Sequence, residues 1–324
     1  MPDAPVLLKS LRSHFLGGRE AVASGLPVLR RQVVGNGAAR AIDMNGSYCA
    51  GQLYVQEYRL AEPRHPHPVL LWHGGGMSGA QWESTPDGRQ GWLWRLLQSG
   101  YDVFVADAPE RGRASWAMYP QIYDAAPIFR SKEEAWHLFR IGPADGYAPR
   151  GQPRRAHPGQ QFPADAFDTF AKQFVPRWLA HDAMALDAYS ELLDLAGPCI
   201  VIGHSQGGGY ATQLARECPG PIRAVVAVEP TGTPERVDGP LPPNYWCGAT
   251  TSPSTTPGNA TAPRPTLTGT PCGGPAGAPT CSTCPPPASP AIPISACWTA
   301  TATASPNSSS TGSTASTNLR LETP

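Results

Sequence analysis

Ser205 stands at the centre of Gly203-His204-Ser205-Gln206-Gly207, directly after the apolar β-branched run 200–202 and just before a helix-compatible stretch, 210–217. A serine hydroxyl is a weak nucleophile, so it must project clear of the backbone to a place where a base can reach it. A sharp strand-to-helix turn does this, and glycines two positions either side of the serine relieve the crowding that the turn creates. The N-terminus of the following helix adds N–H groups and positive dipole beside a developing oxyanion. The spacing therefore predicts a nucleophile elbow, against the alternative of an ordinary glycine-rich turn.

A second stretch carries complementary chemistry. The apolar run 69–72 ends in His73-Gly74-Gly75-Gly76. Attack on a carbonyl needs backbone N–H groups aimed at the oxygen that becomes negative, and glycines let the backbone come close without intervening side chains. A third element is Glu229-Pro230, placed where the run 223–228 ends. A carboxylate at a strand end just beyond the serine turn could orient a histidine and stabilise its imidazolium; the plainer alternative is a solvated strand-end acid.

The elements that must position these groups follow from periodicity. Residues 91–98 read as a helix, 101–106 as a strand, and 180–195 as a core-facing helix, with Met184, Leu186, Tyr189, Leu192 and Leu193 at helical spacing. Residues 15–19 read as a turn, and 52–58 alternate as an edge strand does. Alternating strands and helices predict an α/β fold with a mostly parallel sheet covered on both faces. Residues 116–176 are irregular and rich in Pro and aromatics (Trp116, Tyr119, Tyr123, Phe129, Trp136, Phe139). They read as a cap insertion that would shape an apolar pocket.

Composition narrows the partners. The 324 residues carry 25 basic and 25 acidic side chains, a net charge of zero, which gives no electrostatic footprint for nucleic acid or anionic membrane. No apolar run is long enough to span a bilayer, and residues 1–16 lack a signal-peptide pattern, so a cytoplasmic location is expected. His65 and His67 read as a surface loop rather than a metal site. No metal or other cofactor is expected, and the sequence is silent on oligomeric state.

Residues 73–76, 203–207 and 228–230 together resemble the α/β-hydrolase superfamily, and the last two resemble a bacterial esterase branch whose acid is a glutamate straight after the strand following the elbow. Residues 15–20 and 51–55 are similar to that branch's N-terminal region. Some relatives have cysteines where this chain has Gly75 and Gly76. Over residues 10–243 the resemblance implies an α/β-hydrolase fold, with Ser205 as nucleophile, Glu229 as acid, and the N–H groups of Gly75 and Gln206 as oxyanion hole. It implies a serine carboxylic-ester hydrolase that acts through an acyl-enzyme on a small hydrophobic ester. The superfamily order is Ser, acid, His.

That order exposes a gap. The last histidine is His204, and none follows Glu229. From Asn244 onward the chain is Thr, Ser, Pro, Ala and Gly, with one acid (Glu322), two bases (Arg264, Arg320) and no Val, Phe, Met, Lys, Asp or His. Such a tail cannot bury a core, and as written it offers neither the next strand nor a histidine loop. Reading each codon's third base with the next codon's first two turns residues 244–247 into Leu-Leu-Val, forced by the genetic code, with Trp-Gly-Asp-His permitted next. Residues 290–312 permit a Gly-His-Ser-Asp loop followed by a helix, within which only Leu and Asp, from residues 297–299, are forced. The expectation is a hydrolase domain over 1–243 and an out-of-frame tail over 244–324, in which Cys272, Cys281 and Cys284 are noise rather than a zinc site. The rival is a genuine Thr/Pro-rich extension with weak glycosylation patterns at Asn259 and Asn307. A catalytically inactive protein, truncated or binding small molecules in the same pocket, is the alternative to the enzyme.

Overall fold

The computed structural model describes residues 5–231, and beyond them the backbone of three short strands, Tyr245–Gly248, Thr301–Ala304 and Leu319–Glu322. The central sheet has seven strands: β1 (Leu8–Ala23), β4 (Gly46–Leu60), β5 (Val69–Trp72), β6 (Val103–Asp107), β7 (Cys199–His204), β8 (Ile222–Val228) and β9 (Tyr245–Gly248). A small hairpin of β2 (Leu29–Arg31) and β3 (Arg40–Ile42) lies between β1 and β4 in the chain. The spatial order is β1-β4-β6-β5-β7-β8-β9. Pairs from β6 through β9 are parallel, whereas β1 and β4 run antiparallel at one side.

Strand alternation splits the core into two layers. Leu70, Trp72, Phe104 and Val201 face one side, where α4 (Asp182–Ala196) and α5 (Gln206–Glu217) contribute Tyr189, Leu192, Leu193, Ala211 and Leu214. Val69, Leu71, Val103, Val105, Ile200 and Ile202 face the other, under α1 (Trp92–Gln98) with Trp92, Leu93 and Leu96. Both faces of the central strands are buried, so they need unbroken apolar runs, and the sequence supplies them. Each such side chain contributes about 1.5–3 kcal/mol.

Three expectations are corrected. Residues 15–19 are not a turn: β1 runs through them, and Gly17 and Gly18 take φ of 66° and 86° inside the strand. A methyl on Gly17 would lie 2.9 Å from the Ala188 backbone, so glycine there lets α4 approach the sheet. Residues 52–58 lie in β4, which is interior because β1 covers its far side; the alternation arises from a strand partly buried on one face. The expectation that the written tail offers no further strand is also overturned, because β9 pairs in parallel with β8 in the register Val225 with Tyr245 to Val228 with Gly248. The remaining expectations for 244–324, including the cysteine cluster, lie outside the described residues.

The cap is inserted between β6 and α4. It contains α2 (Lys132–Leu138), capped by the Ser131 hydroxyl, and α3 (Phe167–Ala171). Its aromatics build a core of their own: Trp136 and Phe167 meet edge-on at 5.1 Å, joined by Phe162 and Phe170. These rings are buried against one another, while Trp116 and Phe129 are exposed.

Candidate active site

Ser205 is the junction between β7 and α5. Its φ of 50° and ψ of −116° put a non-glycine residue in a sparsely populated region, a strain of order 1–3 kcal/mol. Hydrogen bonds hold it there: its N–H donates to Val228 O at 2.9 Å, and its carbonyl accepts from Gly209 N and Thr231 N at 3.0 and 3.1 Å. The flanking glycines are demanded by backbone, not by side chains. A methyl on Gly203 would strike Gly207 O, and one on Gly207 would lie 2.6 Å from His73 O and 2.7 Å from Trp72 O. Backbone carbonyls cannot swing aside. Gly207→Ala should therefore cost about 2–3 kcal/mol, read as a lowered urea midpoint; an unchanged midpoint would mean that the backbone around the elbow can give way.

The glycine loop after β5 lies directly against this turn. A methyl on Gly74 would sit 3.4 Å from Ser205 Cβ, and one on Gly75 would sit 3.0 Å from Gln206 Oε1. The loop is anchored on both sides. Gly74 N–H donates to Gln81 Oε1 at 3.1 Å, Val175 N–H donates to Gly76 O at 3.0 Å, and Met77 is buried in the core of the cap. Among the described residues the N–H groups of Gly75 and Gln206 donate to no protein acceptor. A developing oxyanion requires backbone donors left free in this way.

Glu229 also has positive φ, 44°, at the end of β8. Both its oxygens accept from Arg140 Nη2 of the cap at 2.9 Å. Among the described residues none of the chain's eight histidines bonds it. His73 is buried: its Nδ1 donates to Gly74 O at 2.8 Å and its Nε2 accepts from Ala108 N at 3.0 Å. His204 lies under Gly74, and its Nε2 is buried without a partner among the described residues. His181 pairs with Glu110 and stacks on Trp178, while His65 stacks on Tyr101 at 3.8 Å and bonds Ser99 O. No group of three or more potential metal ligands occurs among the described residues.

Burial lowers both His73 and His204 to about 4; for His73 the Gly74 bond and the Asp107 charge oppose this, and for His204 the nearby His73 adds to it. Between about 4 and the ordinary value of 6.5 the unfolded chain takes up protons that the folded one refuses, so stability is lost as pH falls through this window. Going from pH 6.5 to 5 should remove about 2 kcal/mol per histidine. Urea melts across this range check it, and His204→Gln should flatten the slope.

Sequence reasoning brought Ser205, Gly75, Gln206 and Glu229 forward, and the first three are together. It missed Arg130, Arg140, Arg177 and Gln81, which carry no local motif and are delivered by folding of distant segments.

Residues 67–250 match the α/β hydrolase fold family, and the chain belongs to that family. It is 29% identical, with a TM-score of 0.58, to a solved structure described as a novel bacterial esterase, covering 72% of this chain and 71% of that one. It is also 32% identical over 203 residues to a protein named "Probable secreted lipase phiG" from Fungal sp., covering 59% of this chain. The chain spans 52% of that relative's length. No helix among the described residues is long and apolar enough to cross a membrane.

Proposed function

We propose that the intact protein is a serine carboxylic-ester hydrolase acting through an acyl-enzyme on a small-molecule ester. The observation that carries this is the strained Ser205 turn pressed against a glycine loop, with one uncommitted N–H group on each, at Gln206 and Gly75. Ser205 Oγ attacks the ester carbonyl carbon. The carbonyl oxygen takes the charge and is held by Gly75 N–H and Gln206 N–H. Collapse of the tetrahedral intermediate expels the alcohol, and water then releases the acid from Ser205. No cofactor enters these steps.

The base is a histidine on an in-frame C-terminus, oriented by Glu229. In this reading the hydrolase domain begins within residues 1–243 and is completed by a segment that a frameshift just before Asn244 has replaced. The likeness to a bacterial esterase and to a protein named as a lipase supports ester chemistry. One observation favours a second reading, an inactive hydrolase-fold protein: the carboxylate that should orient the base is engaged by Arg140. Hydrolysis of p-nitrophenyl acetate separates the two. Turnover that disappears in Ser205→Ala supports the enzyme; turnover indifferent to that change removes Ser205 from its role.

A further inference from the structure

The glycine loop faces the serine on one side and arginines on the other. A methyl on Gly75 would strike Arg177 Nη1, and one on Gly76 would lie 4.0 Å from Arg130 Nε. Both arginines come from the cap, and its backbone fixes them. Ile128 N–H donates to Arg177 O at 2.8 Å and Arg177 N–H donates to Ile128 O at 3.1 Å, a two-bond clasp with Arg130 two residues further on. A third guanidinium, Arg111 from the loop after β6, is buried close by, near enough for the charge of Arg177 to act on it.

The acids around this cluster are already committed. Glu110 is shared between Arg111, at 3.2 Å, and His181. Glu134 pairs with Arg130 at 2.7 Å, and Asp182 accepts from Tyr210 at 2.5 Å and from Gln206. Glu229 is held by Arg140. Arg177 has no acidic partner among the described residues, and the Nε groups of Arg111, Arg130 and Arg177 are all buried without an acceptor there. Burial lowers the pKa of Arg111 and of Arg130, and in each the charge of Arg177 adds to that lowering while the paired glutamate opposes it. Buried donors without acceptors are costly, and a guanidinium edge is shaped for two-point bonding to a carboxylate.

We infer that the site takes an ester whose acyl part carries a second, free carboxylate, a monoester of a short dicarboxylic acid, with Arg177 and Arg130 receiving that carboxylate beside the reacting carbonyl. This rests on the reading of Ser205 as the reacting residue and replaces the expectation of a purely hydrophobic ester. The reach is short, since Gly75, proposed to hold the oxyanion, touches Arg177 itself.

Binding tests it without turnover. Calorimetric titration of the full chain with glutarate, dimethyl glutarate and inorganic phosphate should show glutarate binding at least tenfold tighter than the neutral diester or phosphate. Arg177→Gln should weaken glutarate at least tenfold, Arg177→Lys less, and the exposed Arg31→Gln not at all. The unliganded melting temperature of each variant reports its fold, and Arg130→Gln provides an independent loss of affinity should Arg177→Gln unfold. Equal binding of glutarate and its diester, phosphate binding as tightly as glutarate, or glutarate affinity that survives both substitutions would overturn the inference. Glutarate binding with no ester hydrolysis by a chain carrying the in-frame C-terminus would overturn the esterase reading alone. Hydrolysis of p-nitrophenyl acetate with no preference for mono-p-nitrophenyl glutarate would overturn this one alone.

Discussion

Ser205→Ala in a chain carrying the in-frame C-terminus is expected to lower kcat for p-nitrophenyl esters on the order of 10⁴-fold or more, the loss that follows removal of an acting nucleophile. The backbone explains why no neighbour should substitute. The strain at φ 50° and ψ −116° serves to lift one side chain out of the turn, and the bonds from Val228, Gly209 and Thr231 all hold that one residue. The same strain yields a matched stability result. Ser205→Gly should raise the unfolding free energy by about 1 kcal/mol, because glycine adopts positive φ without penalty, while abolishing turnover. A variant that loses activity and gains stability identifies a residue kept for chemistry. Loss of both would instead make Ser205 a packing residue.

Restoring the reading frame ahead of codon 244 should have the second largest effect. A positioned base contributes roughly 10²–10⁴-fold, so the restored chain should exceed the written one by about 10³ in kcat/KM. The histidines already present are poorly placed to supply it. His73 and His204 are buried and neutral, locked beneath the glycine loop, and His181 is held by Glu110. The nucleotide sequence across codons 235–324 comes first. A shifted frame that runs open and encodes Gly-Asp-His and Gly-His-Ser-Asp supports the proposal, whereas stops in that frame end it. On the proposed triad Glu229 exchanges Arg140 for histidine, so Arg140→Gln should raise activity in the restored protein.

What could be read from the sequence follows the range of the forces involved. β5, β7 and β8 were legible because strands buried on both faces need unbroken apolar runs, and glycines mark where those runs stop. The elbow was legible because a backbone clash, Gly207 against His73 O, leaves a one-residue signature. β1 was misread because Gly17 and Gly18 look like a turn, when their role is to admit α4 from far along the chain. Composition marked the cap as aromatic but could not say which rings pack on each other, as Trp136, Phe162, Phe167 and Phe170 do. The arginines were invisible, since Arg130 and Arg177 meet only after the chain between them has folded.

That clasp has an evolutionary consequence. Within the insert, paired backbone bonds between Ile128 and Arg177 close residues 129–176 into a loop of their own, and its aromatic core is separate from the two layers that support the strands. Drift inside the insert can alter what is recognised while the chemical groups on β5, β7 and β8 stay where they are. Selectivity and reactivity can thus be inherited as separate modules, and a lineage could exchange one cassette for another without rebuilding the machinery underneath.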